Sequence, residues 1–124
     1  MDVAAYEDVA SRMIARFDLR CVASTLRESI SATDNIWSAC LHDGQVFHIS
    51  RKYPIHIVDR VGSGDAFAAG LIHGILQQMN SRDALEFAAA AGCLKHSYHG
   101  DSNQARTAEV AALAGGDKSG RVKR

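Results

Sequence analysis

Apolar positions in the first stretch of the chain recur at helical spacing. Val9, Met13, Ile14 and Phe17 fall three or four residues apart, with Glu7, Asp8, Arg12 and Arg16 on the other positions, so 4–17 is expected to form an amphipathic helix closed by a turn at Asp18. The period then shortens. Arg20-Cys21-Val22-Ala23-Ser24-Thr25-Leu26 is nearly continuously apolar, as expected of a strand buried on both faces in a parallel sheet. The polar stretch 29–35 reads as a loop. Two β-prone runs, 36–42 and 45–50, are joined by Asp43-Gly44, a strong hairpin signal, and a third run, 55–58, follows Pro54 at a strand's first position or on an edge.

Beyond Gly62 the pattern is helical: 13 of the 20 alanines lie there and β-branched residues are few. A helix over 64–78 would set Phe67, Leu71, Ile72, Ile75, Leu76 and Met79 on one face, and Asn80 would stop it. Ser81 can cap the next helix, with Asp83 in its first turn and Leu85, Phe87, Ala88 and Leu94 as packing residues. The run from Ala88 to Gly92 implies close approach of a neighbour. Thr107 can cap a last short helix through Val110 and Leu113, after which Gly115-Gly116 releases a basic tail of Lys118, Arg121, Lys123 and Arg124. No internal repeat is present. A helix, strands and then a helical cluster fit part of an α/β layered domain, since a sheet of so few strands leaves an edge or a face uncovered.

Composition narrows the function classes. A chain of 124 residues with 47% hydrophobic and 23% charged residues fits one soluble domain, placed at 1–114, with 115–124 as the tail. Fourteen basic side chains against 14 acidic ones give no excess for nucleic-acid phosphates. No apolar run approaches the roughly 18 residues of a membrane span. Acids in 1–8 are unlike a secretory signal, so a cytoplasmic location is expected, with neither membrane nor nucleic acid as partner. Cys21, Cys40 and Cys93 are widely spaced and read as small buried hydrophobes, not as a disulfide framework or thiolate zinc site.

The sharpest chemical feature is Asp59-Arg60-Val61-Gly62-Ser63-Gly64-Asp65-Ala66-Phe67, between an apolar strand and a helix. Two glycines allow a tight turn. The first N–H groups of a helix have no intrahelical partner and carry the positive end of the macrodipole, so Gly62, Ser63 and Gly64 are placed to hold a phosphate or oxyanion. Asp65, in the first turn, can accept a proton from a hydroxyl bound beside that anion. Phosphoryl transfer to an alcohol asks for both. The plain alternative is a glycine turn followed by a capping acid. Neither the P-loop nor G-x-G-x-x-G fits, since no Lys-Ser or Lys-Thr follows the glycines and Phe67 stands where the third glycine would be. His96-x-x-His99 and the strand histidines His42, His48 and His56 are weak metal candidates, better read as surface or core-satisfied side chains.

The segment 59–71 resembles the C-terminal signature D-T-V-G-A-G-D-A-F-x-A-G of the ribokinase-like (PfkB) carbohydrate kinases. Arg60, Thr25-Leu26-Arg27-Glu28-Ser29, Leu94-Lys95-His96-Ser97 and Gly100-Asp101 look most like the 2-dehydro-3-deoxygluconate kinase branch. The resemblance runs along essentially the whole chain, yet covers only the C-terminal part of such an enzyme, whose longer N-terminal portion supplies most of the sugar pocket and a β-lid. It implies an α/β fold, the C-terminal part of a ribokinase-like αβα domain. It implies ATP and Mg²⁺, with K⁺ as a further ion, and a small sugar acid as acceptor; whether copies of the full-length enzyme assemble is left open. By resemblance Asp65 is the base and, with Asp101, meets the sugar, and Gly62, Ser63 and Gly64 form the anion hole. Thr25, Arg27, Ser29 and the segment around His96 border the nucleotide, and Asp59 helps to hold a monovalent cation. The chain departs from the general pattern at Arg60, where threonine is usual, and at 25–29, where many sugar kinases carry T-x-G-x-x-G. Two rivals follow: a non-catalytic nucleotide-binding remnant, and a PfkB kinase for another sugar such as ribose or fructose. The isolated chain is expected to be inactive for want of the sugar-binding part.

Overall fold

The computed structural model describes residues 1–116. The basic tail expected over 115–124 therefore lies, from 117 onward, outside the described residues. Helix α1 spans Val3–Phe17; Asp2 caps it by accepting from the Ala5 N–H at 3.1 Å, and Asp18 ends it in the left-handed conformation at φ 53°. Strands β1 (Val22–Ser29), β2 (Asp34–His42), β3 (Phe47–Ile49) and β4 (Tyr53–His56) come next, then helices α2 (Ser63–Leu76), α3 (Ser81–Lys95) and α4 (Thr107–Ala114).

The sheet is antiparallel, which corrects the parallel, doubly buried strand expected at 20–26. β1 pairs with β2 from Val22↔His42 to Ser29↔Asn35, so the expected loop at 29–35 shrinks to a short connection at 30–33. β2 is the centre: β1 lines one edge, while β3 and β4 share the other, β3 beside 40–42 and β4 beside 34–37. Leu26 is the one fully buried residue of β1, because its outer edge has no strand beside it. The turn after β2 closes as Asp43-Gly44 suggested. Gly44 takes φ 95°, and the Asp43 carboxylate accepts from the Gln45 and Val46 N–H groups, which holds it well below the usual carboxylate range. Pro54 sits inside β4, opposite Ile36, on an edge strand where a missing N–H costs nothing.

The helical cluster packs through small residues. A Cβ at Gly70 would come within 2.9 Å of the Ala88 Cα, and one at Gly74 within 2.9 Å of the Ala84 Cβ, so α2 and α3 nearly touch backbone to backbone. This is the close approach expected from the alanine run. α3 then lies against β2, where Trp37 donates from its indole N–H to the Ala89 carbonyl at 2.9 Å. Caps differ by one residue from the sequence reading. Asn80, not Ser81, caps α3, accepting from the Asp83 N–H at 2.8 Å, and Thr107 is the first residue of α4 after an uncapped Arg106. Among the cysteines Cys40 is buried, whereas Cys21 and Cys93 are half-buried; all three are free thiols.

Two expected core faces are not core. Of α1 only Ala10 is buried, while Val9, Met13 and Phe17 stand 53%, 38% and 62% exposed. On α2, Phe67 is buried but Ile72, Ile75 and Leu76 face outward.

Candidate active site

α2 opens at a turn only glycine can make. Gly62 occupies the N-cap with φ 85° and ψ 0°, and a Cβ there would overlap the Asp101 backbone carbonyl. The turn is tied by the Ser63 N–H to the Arg60 carbonyl at 3.2 Å and by the Ala66 N–H to the Gly62 carbonyl at 2.9 Å. Ser63 is buried, whereas Gly64 and Asp65 are exposed, and a Cβ at Gly64 would meet no atom within 4 Å. The Gly64 and Asp65 amides, ahead of any intrahelical carbonyl, therefore border open space at the positive end of the helix. The structure brings together the cradle, Asp65 and the Asp101 segment.

The approach to the cradle is fixed from beneath. The His96 carbonyl accepts from the Val58 N–H at 2.9 Å and the Asp59 N–H at 3.2 Å, so the end of α3 holds the segment leading from β4 to α2. Asp59 bridges onward: one carboxylate oxygen takes the Val61 N–H at 3.0 Å and the other the Gly100 N–H at 2.9 Å. Those two amides, with the Lys95 and His99 charges, lower its pKa. Lys95 has no solvent exposure at all; its ammonium donates to the Asp59 carbonyl at 3.2 Å and the Tyr98 carbonyl at 3.0 Å.

Thr25, Arg27 and Ser29 alternate along β1 and so share one face of the strand. They lie along β1, with Ser29 its last residue before the 30–33 connection. Thr25 and Ser29 are exposed; Arg27 folds inward over the Trp37 ring, 5.1 Å from its centroid. Its guanidinium donates to Asn35 Oδ1 at 2.9 Å and to His96 Nε2 at 2.8 Å. The other ring nitrogen of His96 faces the Gly92 carbonyl at 2.7 Å, so its partners assign a neutral ring protonated on Nδ1. Burial, reinforced by the Arg27 and Lys95 charges, pushes the His96 pKa down. Burial and the neighbouring Arg60 lower that of Arg27. With 1% exposure and both nitrogens engaged, His96 holds Arg27 through its ring and the 58–59 backbone through its carbonyl. His48 pairs locally with Asp43 and His56 with Asp34, and among the described residues no three His, Cys, Asp or Glu side chains are grouped to hold a metal ion.

A family profile described as pfkB family carbohydrate kinase matches residues 33–108, more than half of the chain. The chain belongs to that family. It is 33% identical over 73 residues to the 5-dehydro-2-deoxygluconokinase of Clostridium perfringens, a match covering 59% of this chain and 21% of that enzyme. It is 41% identical over 56 residues to the 2-dehydro-3-deoxygluconokinase of Bacillus subtilis, covering 45% of this chain and 17% of the relative. Among solved structures, the 2-dehydro-3-deoxygluconokinase of Thermotoga maritima superposes with a TM-score of 0.90 at 45% identity, over 93% of this chain and 35% of that one. The chain thus spans about a third of the solved kinase and matches about a fifth of the curated relatives.

Within this pfkB chain, sequence reasoning missed three positioning groups: Lys95, Gly100 and the Trp37–Asn35 pair that cradles Arg27. A signal for Lys95 existed. It falls in register with Ala88, Ala91 and Gly92, on the buried side of α3, where an exposed lysine would not be. The monovalent cation expected at Asp59 does not fit the residues present, because the Asp59 carbonyl and its Tyr98 neighbour already receive the Lys95 ammonium.

Proposed function

We propose that this chain is the nucleotide-side, catalytic third of an ATP-dependent kinase that phosphorylates a hydroxyl of a keto-deoxy sugar acid of the 2-dehydro-3-deoxygluconate type. The observation that carries this reading is the open N-terminus of α2, where Gly62 holds a left-handed turn, Gly64 borders empty space and Asp65 stands in the first turn. The names of the similar proteins support the acceptor class. In this reading the Asp65 carboxylate takes the acceptor hydroxyl's proton as that oxygen attacks the γ-phosphorus, and the bond to the departing ADP breaks. The Gly62 and Gly64 amides, with the buried Ser63 completing the turn between them, offset the charge that builds on the transferred phosphoryl oxygens. Mg²⁺, bound with the nucleotide, would supply charge neutralisation at the phosphates. Thr25 and Ser29 present hydroxyls beside the nucleotide, Arg27 fixes the strand between them, and Asp101 adjoins the sugar side of the cradle. The rest of the enzyme supplies the sugar pocket, so the 124-residue chain by itself turns over nothing.

The test restores an N-terminal portion and compares Asp65→Asn with Gly64→Asp. Asp65→Asn keeps shape but accepts no proton, so kcat should fall on the order of 10²- to 10⁴-fold while ATP affinity hardly changes. Gly64→Asp puts a carboxylate into the open space of the cradle and should abolish ATP binding measured by calorimetry. Unaltered turnover in the first variant removes Asp65 as the base; unaltered ATP binding in the second removes the cradle.

A further inference from the structure

We infer that the Lys95 ammonium is a built-in monovalent cation, which fills the carbonyl-lined position between Asp59 and Tyr98 and shapes the anion cradle without bound K⁺ or Na⁺. The position has the chemistry of an alkali-metal site. Two backbone carbonyl oxygens converge on one point, at 3.2 and 3.0 Å from Nζ, and the Asp59 carboxylate supplies negative charge nearby. Lys95 is wholly buried. A buried ammonium is retained only where oxygen atoms replace its hydration. Here they are main-chain carbonyls, which would serve a dehydrated alkali ion equally well. A second cation at the same oxygens would sit a few ångströms from the first, away from bulk water, where like charges repel strongly.

The location gives the charge its role. Asp59 lies three residues before Gly62, and Tyr98 lies three residues before Asp101, whose carbonyl packs against the Gly62 turn. The Gly100 N–H joins the same two segments through the Asp59 carboxylate. Lys95 therefore clamps the two backbone segments that set the floor of the cradle. Being tethered to α3, it does so at any salt composition. The neutral, Nδ1-protonated ring of His96 adds no competing charge at the next residue.

The inference is tested without catalysis, so its failure is separate from failure of the kinase reading. The full chain is melted in KCl and in tetramethylammonium chloride at equal ionic strength, and thallium(I), a potassium stand-in, is titrated with its NMR resonance observed. Wild-type protein should melt at the same temperature in both salts and leave the thallium line unshifted. Lys95→Met, which keeps the stem and removes the charge, should melt lower in tetramethylammonium and regain stability selectively in KCl, and it should bind thallium(I). Saturable thallium binding or potassium-selective stabilisation of the wild type overturns the inference, as does a folded Lys95→Met protein indifferent to potassium. Should Lys95→Met fold in neither salt, the wild-type thallium titration decides alone.

Discussion

The two ends of α2 lie in contrasting surroundings. Beneath its N-terminus the supporting groups are tied down: the Gly62 turn rests on Asp101, Asp59 on two amides, Lys95 on two carbonyls and His96 on Arg27 and Gly92. Toward its C-terminus Ile72, Ile75 and Leu76 are bare, as are Val9, Met13 and Phe17 of α1. The N-terminal end is braced from within the described residues, while the apolar faces are covered by none of them. The turn at the head of α2 is built from contacts among the described residues, whereas these apolar faces are left exposed by them.

The comparison breaks most readily at Gly62. Gly62→Ala forces an L side chain into positive φ and drives a Cβ into the Asp101 carbonyl, a combined cost of about 3 kcal/mol. Chemical denaturation should show that loss. Gly64→Ala, two residues on and facing open space, should leave stability unchanged or slightly raised by helix propensity. Equal effects from both would mean that the turn is not held by Asp101.

The sequence disclosed the elements far better than their surroundings. Helical spacing located all four helices to within a few residues, and Asp43-Gly44 located the β2–β3 turn, because those signals are local. The run at 20–26 was misassigned because continuous apolarity tells of burial without telling strand direction. β1 is an antiparallel edge strand with one buried side chain. The apolar stripe of α1 is genuine, yet nothing among the described residues covers it, so Val9, Met13 and Phe17 stay at the surface. The glycine turn at Gly62 and the place of Asp65 in the first turn of α2 were legible from glycine spacing and the position of one acid. The Arg27–His96 pairing and the Lys95–Asp59 contact were not, since they join residues 69 and 36 positions apart.

A smaller and more selective perturbation is acid. His96 is held neutral, its pKa below the ordinary 6.5, so the unfolded chain takes up a proton first as pH falls. The unfolded state then binds more protons, and the stabilising contribution, full above 6.5, is lost as pH drops below that value. Protonation would also set a cation against the Arg27 guanidinium at 2.8 Å. Asp43 and Asp59, both held below their ordinary 3.8, lose their contributions only under that value, outside the histidine window. The urea midpoint should therefore fall between about pH 7 and about pH 5, and His96→Gln, which cannot titrate there, should flatten that slope. An unchanged slope would show that other groups carry it.

The smallest effect on the isolated chain, and the sharpest contrast with a longer one, belongs to Phe17. Its ring is 62% exposed beneath the Arg16 guanidinium, 5.5 Å from the ring centroid, beside the less exposed Val9 and Met13. A substitution at an exposed site with so few neighbours falls within about 0.5 kcal/mol, so Phe17→Ser should scarcely move the unfolding midpoint of the 124-residue chain. It should nonetheless weaken self-association, because an exposed apolar stripe of this kind finds a second copy when its own partner is missing. Sedimentation velocity across a concentration series reads this directly. In a kinase with its N-terminal portion restored, the same face would be covered, and burying a phenylalanine there is worth about 2 kcal/mol, which Phe17→Ser would forfeit. A neutral substitution in the short chain and a costly one in the long chain is the expected pair of results. A wild-type chain that stays monomeric at every concentration, or a Phe17→Ser change that costs the same in both lengths, would mean that α1 is an ordinary solvated helix and the contrast between the two regions ends at α2.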